Sequence, residues 1–272
     1  MQLVDIGANL THSAFAADLA EVVTRAKNAG VGRIIVTGTA VDESLAATKV
    51  ADRFGFWATA GVHPHHARDC GPSTIAALKD IAAHPRVVAI GECGLDFNRN
   101  YSPHPDQEKW FVAQLELGIE LRKPLFLHSR DAHPRFSDIL KQHRIGKAVA
   151  HCFTGERDEL HAYLDLGLYI GITGWICDER RGRHLVELVR DIPRDRLLLE
   201  TDSPYLTPRD LRPQPRARRN EPAFLPHILA AVARALGRPA EEVAADTARN
   251  AVALFGLDES RASAPAQRPL AA

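Results

Sequence analysis

The sequence has no excess of charge of either sign, because 34 lysines and arginines balance 34 aspartates and glutamates. The protein therefore has no overall field that attracts nucleic acid or an anionic membrane, and a polyanion must be bound by a local patch. No apolar run approaches the roughly 20 residues of a membrane span. The first ten residues, MQLVDIGANL, contain no basic stretch followed by an apolar core, so we expect no secretory signal.

Cysteine is also scarce. The 272 residues include four cysteines that lie far apart and form no CxxC pair: Cys70, Cys93, Cys152 and Cys177. In a chain of this size they indicate neither a disulfide framework nor a zinc knuckle, and they fit a reducing cytoplasm. Cys93 and Cys152 each follow a candidate metal ligand directly. Neighbouring residues on a strand face opposite ways, so we expect these two thiols to pack rather than to act as nucleophiles.

Four short apolar runs each close on a side chain that can bind a metal ion. The runs are VVAIGE, PLFLH, KAVAH and LLLETD, and they end at Glu92, His128, His151 and Asp202. Such runs are typical of strands buried on both faces, where an ionisable group without a partner costs free energy. Four such groups at the ends of four strands predict a metal site. Two carboxylates and two imidazoles suit a divalent cation, Mg²⁺ first and otherwise Mn²⁺ or Zn²⁺.

Four further runs complete a set of eight predicted strands: residues 3–8, 33–39, 57–63 and 168–174. Segments with helical periodicity lie between the strands, among them 14–29, 41–54, 156–166 and a stripe that begins at Phe224. Repeated strand–helix alternation predicts an α/β fold, the (β/α)8 TIM barrel, with an open doubly wound sheet as the alternative. We expect one TIM-barrel domain over residues 1–258 and a disordered tail over 259–272.

Candidate substrate contacts surround the predicted metal site. The motif GVHPH places His63 and His65 after the third predicted strand, and Arg99 follows the Glu92 segment. Directly after Asp202, residues 203–222 carry five arginines, of which we select Arg209, Arg218 and Arg219. Because guanidinium groups bind phosphate in bidentate fashion, this stretch is interpreted as a functional loop that contacts a phosphate-bearing substrate. Trp175, Tyr205 and Phe97 are candidate stacking platforms for bases.

The chain resembles the TatD family of metal-dependent deoxyribonucleases, within the amidohydrolase-type barrel superfamily. The motifs that carry the resemblance are DIGANL (5–10), TAGVHPH (59–65), VVAIGECGLDFNRN (87–100), HSRDAH (128–133), AHCFTG (150–155), YIGITGW (169–175), LLLETDSPYLTPR (197–209) and RRNEP (218–222). The resemblance implies that the barrel is of the metallo-dependent hydrolase type and that its single domain is a 3′–5′ exonuclease acting on single-stranded DNA or RNA, in DNA repair or degradation. Glu92 and Asp202 are the expected catalytic residues, and Asp202 is expected to ligate the cation or to deprotonate water.

One motif departs from the superfamily. Most members carry Asp-x-His-x-His at the end of the first strand, whereas this chain has Gly7 and Asn9 at the two histidine positions. Asp5 and Asn9 can therefore form at most a weak second metal site, and the ion of choice shifts toward magnesium.

Two other functions remain open at the sequence level. One is an amide or ester hydrolase on the same barrel, acting for example on aminoacyl-tRNA. The other is a nucleic-acid-binding protein without turnover, impaired by the missing histidines. We expect a monomer, because the sequence has no coiled-coil heptads and no obvious apolar edge.

Overall fold

The computed structural model describes residues 2–257, apart from the side chain of Arg216. The predicted tail over 259–272 lies outside the described residues, and the predicted domain end at 258 stays a prediction.

All eight predicted runs form strands: β1 Leu3–Ala8, β2 Val31–Val36, β3 Trp57–Ala60, β4 Val87–Asp96, β5 Leu125–Arg130, β6 Ala148–Ala150, β7 Tyr169–Ile172 and β8 Leu197–Leu199. Each strand pairs in parallel with the next in chain order. A doubly wound sheet reverses its order at a switch point, so this unbroken order excludes that alternative. A parallel bridge between Ala8 and Ser203 joins β1 to the chain after β8. The barrel is therefore nearly closed, and the predicted TIM-barrel fold is confirmed.

The described part of the chain contains nine α-helices: α1 Leu19–Asn28, α2 Val41–Phe54, α3 Thr74–Ala82, α4 His104–Leu121, α5 Arg135–Gln142, α6 Arg157–Asp165, α7 Leu185–Leu188, α8 Leu225–Leu236 and α9 Ala240–Phe255. It also contains short 3₁₀ helices at Ser13–Phe15, Pro64–Asp69, Gly174–Cys177, Val189–Asp191, Arg216–Arg218 and Pro222–Phe224. Among residues 2–257, no helix has both the length and the apolar character that crossing a membrane requires.

The helix predictions hold with one change. α2 and α8 end at Gly55 and Gly237, which adopt the left-handed conformation expected of a C-terminal cap. The segment predicted as one helix over 14–29 instead divides into the 3₁₀ helix Ser13–Phe15 and α1. The His12 ring accepts a hydrogen bond from the Ala14 backbone N–H and so caps the shorter helix separately.

The hydrophobic core shows at which end of the barrel the polar site lies. The larger cluster of buried apolar residues lies between strands and helices, and a smaller cluster includes Phe126, Val149 and Leu198 together with residues of α9. Because side chains two apart on a strand share a face, the residues two positions beyond these three point the same way. The residues at those positions are His128, His151 and Glu200. Polar groups therefore follow the apolar barrel interior at the carboxyl ends of the strands, where active sites of such barrels lie.

Candidate metal centre

Glu92 lies within β4, which runs on to Asp96 rather than ending at the glutamate as the sequence predicted. Gly91 and Gly94 flank it with φ values of +134° and +150°, a backbone region that side chains other than glycine rarely adopt. A Cβ atom at either glycine would also collide with a backbone oxygen of β5. Glycine thus lets β4 approach β5 closely, and Glu92 is buried with 4% of its surface exposed.

One carboxylate oxygen of Glu92 lies close to the imidazole rings of three histidines. Glu92 Oε1 lies 2.7 Å from His151 Nε2 and 2.9 Å from His128 Nδ1. His63 Nε2 is 3.3 Å from the same oxygen, and His128 Nδ1 is 3.4 Å from His151 Nε2. The structure therefore brings together three of the four predicted ligands and adds His63, which the sequence analysis assigned to substrate contact.

The charges of Glu92, His63 and His151 shift one another's pKa values. Burial alone would raise the pKa of the Glu92 carboxyl, but the charges of His151 and His63 hold it well below its usual range. Burial lowers the pKa of His63 to about 4 despite the Glu92 charge. For His151 burial also acts downward, but the charges of Glu92 and Glu200 raise its pKa well above the usual value. The centre thus holds an ionised carboxylate among imidazoles, an environment that stabilises positive charge.

The donor set fits a divalent cation. Two ligands that are each about 2.1 Å from one ion stand roughly 3.0–3.4 Å apart. The separations around Glu92 Oε1 run from 2.7 to 3.4 Å, so the two shorter contacts need to open by only a few tenths of an ångström to admit an ion. His63, Glu92 and His128 each offer a ligand atom within 4.8 Å of the other two. His128 Nε2 is buried and, among the described atoms, has no hydrogen-bond partner; Asp96 Oδ2 lies 3.6 Å away.

Asp202 follows β8 and lies beside this cluster. Its Oδ1 accepts a hydrogen bond of 2.9 Å from the Asn9 amide, and its backbone N–H donates to the Gly7 carbonyl. Burial raises the pKa of Asp202 to about 7; the charge of His151 acts downward, whereas that of Glu92 acts upward. A carboxyl with such a pKa can take up a proton near neutral pH.

Glu200 is the main residue of the site that the sequence analysis missed. It is fully buried; its Oε2 lies 3.2 Å from His151 Nδ1, and its Oε1 accepts a hydrogen bond from the Cys152 backbone N–H. A carboxylate on the second ring nitrogen fixes the orientation and tautomer of a ligating histidine. A Cβ atom at Gly7 would lie 2.5 Å from Glu200 Oε2, and one at Gly171 would collide with Oε1. These two glycines therefore make the space that Glu200 occupies.

Asp96 is a second buried carboxylate that the sequence analysis did not select. Its Oδ2 lies 2.6 Å from His65 Nε2, and its Oδ1 accepts a hydrogen bond from the Arg99 backbone N–H. Burial would raise the pKa of Asp96, but the nearby imidazoles of His128 and His65 hold it far below the usual range. His65 thus lies at the edge of the centre, while the Arg99 guanidinium is exposed and contacts the Tyr101 hydroxyl.

The two residues expected to offer a weak second metal site have other partners. Asp5 is fully buried, and both its oxygens accept hydrogen bonds from Thr201, at 2.9 Å from the backbone N–H and 2.6 Å from the hydroxyl. Asn9 donates to Asp202. In this arrangement Asp5 and Asn9 join β1 to the chain after β8.

The arginine-bearing loop borders a cleft of about 450 Å³. Side chains that line the cleft include Trp175, Arg181, Tyr205, Arg209, Arg212 and Arg218. The arginines Arg130 and Arg181 lie over the Trp175 ring, which is only 8% exposed, so it is not a free stacking platform. Tyr205, at 51% exposed, is accessible.

The three selected arginines differ in their surroundings. Arg218 is exposed, and Arg209 is half-buried and lies 3.3 Å from Glu179. The Arg219 guanidinium instead forms ion pairs with Asp18 at 2.6 Å and with Glu221 at 2.8 Å. This arrangement favours a structural role for Arg219.

The thiols next to the centre are not activated. Burial raises the pKa of Cys152 well above its usual value, and the charges of Asp202 and Glu200 act in the same direction. Burial likewise raises the pKa of Cys93. Both observations agree with packing roles rather than nucleophilic roles.

Comparisons with known proteins agree with these features. The family described as "TatD related DNase" matches residues 4–256. The chain is 55% identical over 259 residues to the 3'-5' ssDNA/RNA exonuclease TatD of Klebsiella pneumoniae (strain 342), a match that covers 94% of this chain and 98% of the relative. For the protein of the same name from Escherichia coli (strain K12), identity is 52% over 258 residues, covering 94% and 99%. Among solved structures, YJJV, a TatD homologue from Escherichia coli K12, gives a TM-score of 0.85 at 28% identity and covers 94% and 98%.

Proposed function

The chain belongs to the family of TatD related DNases, and we propose on that premise that it is a metal-dependent exonuclease that removes nucleotides from the 3′ ends of single-stranded DNA and RNA. The observation that carries the proposal is the buried Glu92 carboxylate with three imidazoles around one of its oxygens. The relatives named as 3'-5' ssDNA/RNA exonucleases support the polarity and the substrate.

Glu92, His128 and His151 would hold the divalent cation, and His63 would be a fourth donor. When bound, such an ion polarises a phosphoryl oxygen and makes water more acidic. The sequence favoured Mg²⁺, but three nitrogens beside one carboxylate oxygen also suit Mn²⁺ or Zn²⁺. Glu200 fixes the His151 ring from its other nitrogen, so that Nε2 stays directed toward Glu92.

Asp202 accepts the proton from the attacking water. Its position at the end of β8, its partial burial and its pKa of about 7 support this role. Asn9 holds one carboxylate oxygen through its amide N–H, which leaves the other oxygen to face the reacting group. Ligation of the cation by Asp202 is compatible with this assignment.

The cleft beside Asp202 carries the nucleic acid strand. Arg218 and Arg209 contact the phosphates, the exposed ring of Tyr205 stacks on a base, and Arg99, His65 and His63 border the scissile group. Phosphate contacts carry no base information, so we expect weak sequence preference. A chain end enters a barrel mouth more readily than a duplex does, which accounts for single-strand specificity.

The cellular setting is part of the same proposal. The protein acts as a cytoplasmic monomer in DNA repair or in the degradation of nucleic acid debris. Its four cysteines are free thiols, which suits a reducing compartment. Size-exclusion chromatography with light scattering should give a mass near 29.9 kDa.

Digestion of 5′-labelled substrates tests the activity. A single strand, a blunt duplex and a 3′-recessed duplex are incubated with Mg²⁺, Mn²⁺, Zn²⁺ or EDTA, and a single strand with a blocked 3′ end tests polarity. We compare the wild type with Glu92→Gln, which keeps the size of the side chain but removes its charge. Glu187→Gln, an exposed change on α7, is the matched control.

The proposal predicts a ladder that shortens from the 3′ end of the single strand. The ladder should disappear with EDTA, with the blocked end and in Glu92→Gln, and persist in Glu187→Gln. If the protein binds the single strand but cleaves it with none of the three ions, the proposal is overturned in favour of a nucleic-acid-binding protein without turnover. Neither binding nor cleavage would favour an amide or ester substrate such as aminoacyl-tRNA.

A further inference from the structure

Three potential metal ligands meet outside the Glu92 centre. Cys177 ends the 3₁₀ helix Gly174–Cys177 after β7, Asp210 lies in the arginine-bearing loop, and His227 lies in the first turn of α8. Each offers a ligand atom within 4.8 Å of the other two. His227 Nε2 is 2.6 Å from Asp210 Oδ1, and Cys177 is buried with 6% of its surface exposed. Three side chains far apart in sequence are thus gathered at one point.

The chemistry of this cluster differs from that of the first centre. A thiolate, an imidazole and a carboxylate form a donor set that zinc prefers, whereas the ligands around Glu92 contain no sulfur. Around a tetrahedral zinc ion, ligand atoms stand about 3.3–3.7 Å apart. The three atoms already lie within 4.8 Å, and the contact between His227 and Asp210 has to open by only about 0.7 Å. Three protein ligands leave a fourth position for water.

We propose that Cys177, Asp210 and His227 bind a second divalent ion of the zinc class, separate from the cation at Glu92. The site connects three segments around the substrate cleft: the turn after β7, the loop after β8 and α8. Next to the cluster, Asp178 and Arg209 form an ion pair at 3.5 Å, so adjacent residues on both segments already face each other. The ion therefore fixes the loop that carries Arg209 and Arg218 against the barrel.

Titration of chelator-treated protein with Co²⁺ tests the site without measuring activity. A cobalt–thiolate bond gives a charge-transfer absorption band in the near ultraviolet, which nitrogen and oxygen ligands alone do not give. The Glu92→Ala variant removes a ligand of the first centre. Because Cys152 lies beside that centre, Cys152→Ser is the matched control for Cys177→Ser.

We expect the band to saturate at one equivalent of cobalt in Glu92→Ala and at no more than two in the wild type, where the first centre also takes up cobalt, and to be reversed by zinc. It should persist in Glu92→Ala and Cys152→Ser and disappear in Cys177→Ser. Absence of the band in the wild type, or its loss in Cys152→Ser with retention in Cys177→Ser, would overturn the proposal.

A second variant is needed in case Cys177→Ser does not fold. The Asp210 side chain is 47% exposed, so Asp210→Asn should fold normally. Removing a residue that only hydrogen-bonds to a metal ligand lowers metal affinity by ~10–100-fold. Because Asp210 is proposed as a direct ligand, Asp210→Asn should weaken cobalt binding by more than that. Unchanged affinity in Asp210→Asn together with unchanged affinity in His227→Asn would reject these residues as ligands.

Discussion

The substitution Gly7→Ala should damage the metal centre through Glu200. The new Cβ atom would lie 2.5 Å from Glu200 Oε2 and 3.0 Å from Phe126 Cζ, whereas ordinary contacts begin at 3.4 Å. The carboxylate would therefore have to move by about 0.9 Å, enough to break its 3.2 Å contact with His151. It cannot swing into solvent, because Glu200 is fully buried.

The expected magnitudes follow from that displacement. Overpacking of a buried site costs about 1–3 kcal/mol of the free energy of unfolding. Loss of the hydrogen bond that orients a ligating histidine lowers metal affinity by about 10–100-fold. Urea unfolding followed by tryptophan fluorescence measures the first quantity, and calorimetric titration with Mn²⁺ measures the second.

Two further variants make the experiment decisive. Gly32→Ala is the matched control, because its Cβ atom would meet only the flexible side chain of Gln2, whose nearest atom, Nε2, is 3.2 Å away. Glu200→Asp withdraws the carboxylate by about one bond length, so in combination with Gly7→Ala it should restore stability but not metal affinity. If Gly7→Ala bound Mn²⁺ as tightly as Gly32→Ala, the coupling of Gly7 to His151 through Glu200 would be refuted.

Three other predictions concern acid stability, the arginines and the proton acceptor. Arg219 lowers the pKa of Asp18 to about 2, so this carboxylate stabilises the fold above about pH 4 and stops doing so as the pH falls toward 2. Between pH 7 and pH 3, the free energy of unfolding measured in urea should therefore fall more for the wild type than for Asp18→Asn. Equal decreases in the two proteins would contradict this prediction. Arg219→Ala should lower the thermal midpoint with little effect on KM, whereas Arg218→Ala should raise KM at an unchanged midpoint. Asp202→Asn should reduce kcat by about 10²–10⁴-fold while Mn²⁺ still binds, as single-turnover digestion and calorimetry can establish.

The sequence was sufficient to predict the fold because each strand carries its own local signal. Apolar runs of strand length recur eight times, and helices that follow them end at glycines such as Gly55 and Gly237. Glu92, His128 and His151 could be selected for the same reason, since each lies on a buried run that ends in an ionisable group. No longer-range information was needed for these residues.

The remaining parts of the site depend on contacts between strands that no local pattern encodes. His63 joins the centre because β3 pairs with β4 and thereby brings the following turn to Glu92. Glu200 stands two residues before Asp202, and only the barrel shows that it points at His151. The cluster of Cys177, Asp210 and His227 was likewise invisible, because its members come from three different segments. The spacing of residues within a sequence motif could not reveal these contacts between segments.

The close approach of Gly7 to Glu200 also explains why the first strand carries glycine where most of the superfamily has histidine. The sequence suggested that glycine in place of a superfamily histidine removes a metal ligand and leaves at most a weak second metal site. In the structure, the space that any side chain at position 7 would enter is filled by the Glu200 carboxylate. A histidine at position 7 and the Glu200 carboxylate therefore exclude each other. Because Glu200 supports His151 and Asn9 supports Asp202, the substituted positions serve the single centre at Glu92. On this reasoning catalysis needs no metal at the end of β1, and Gly7→His should impair the nuclease rather than improve it.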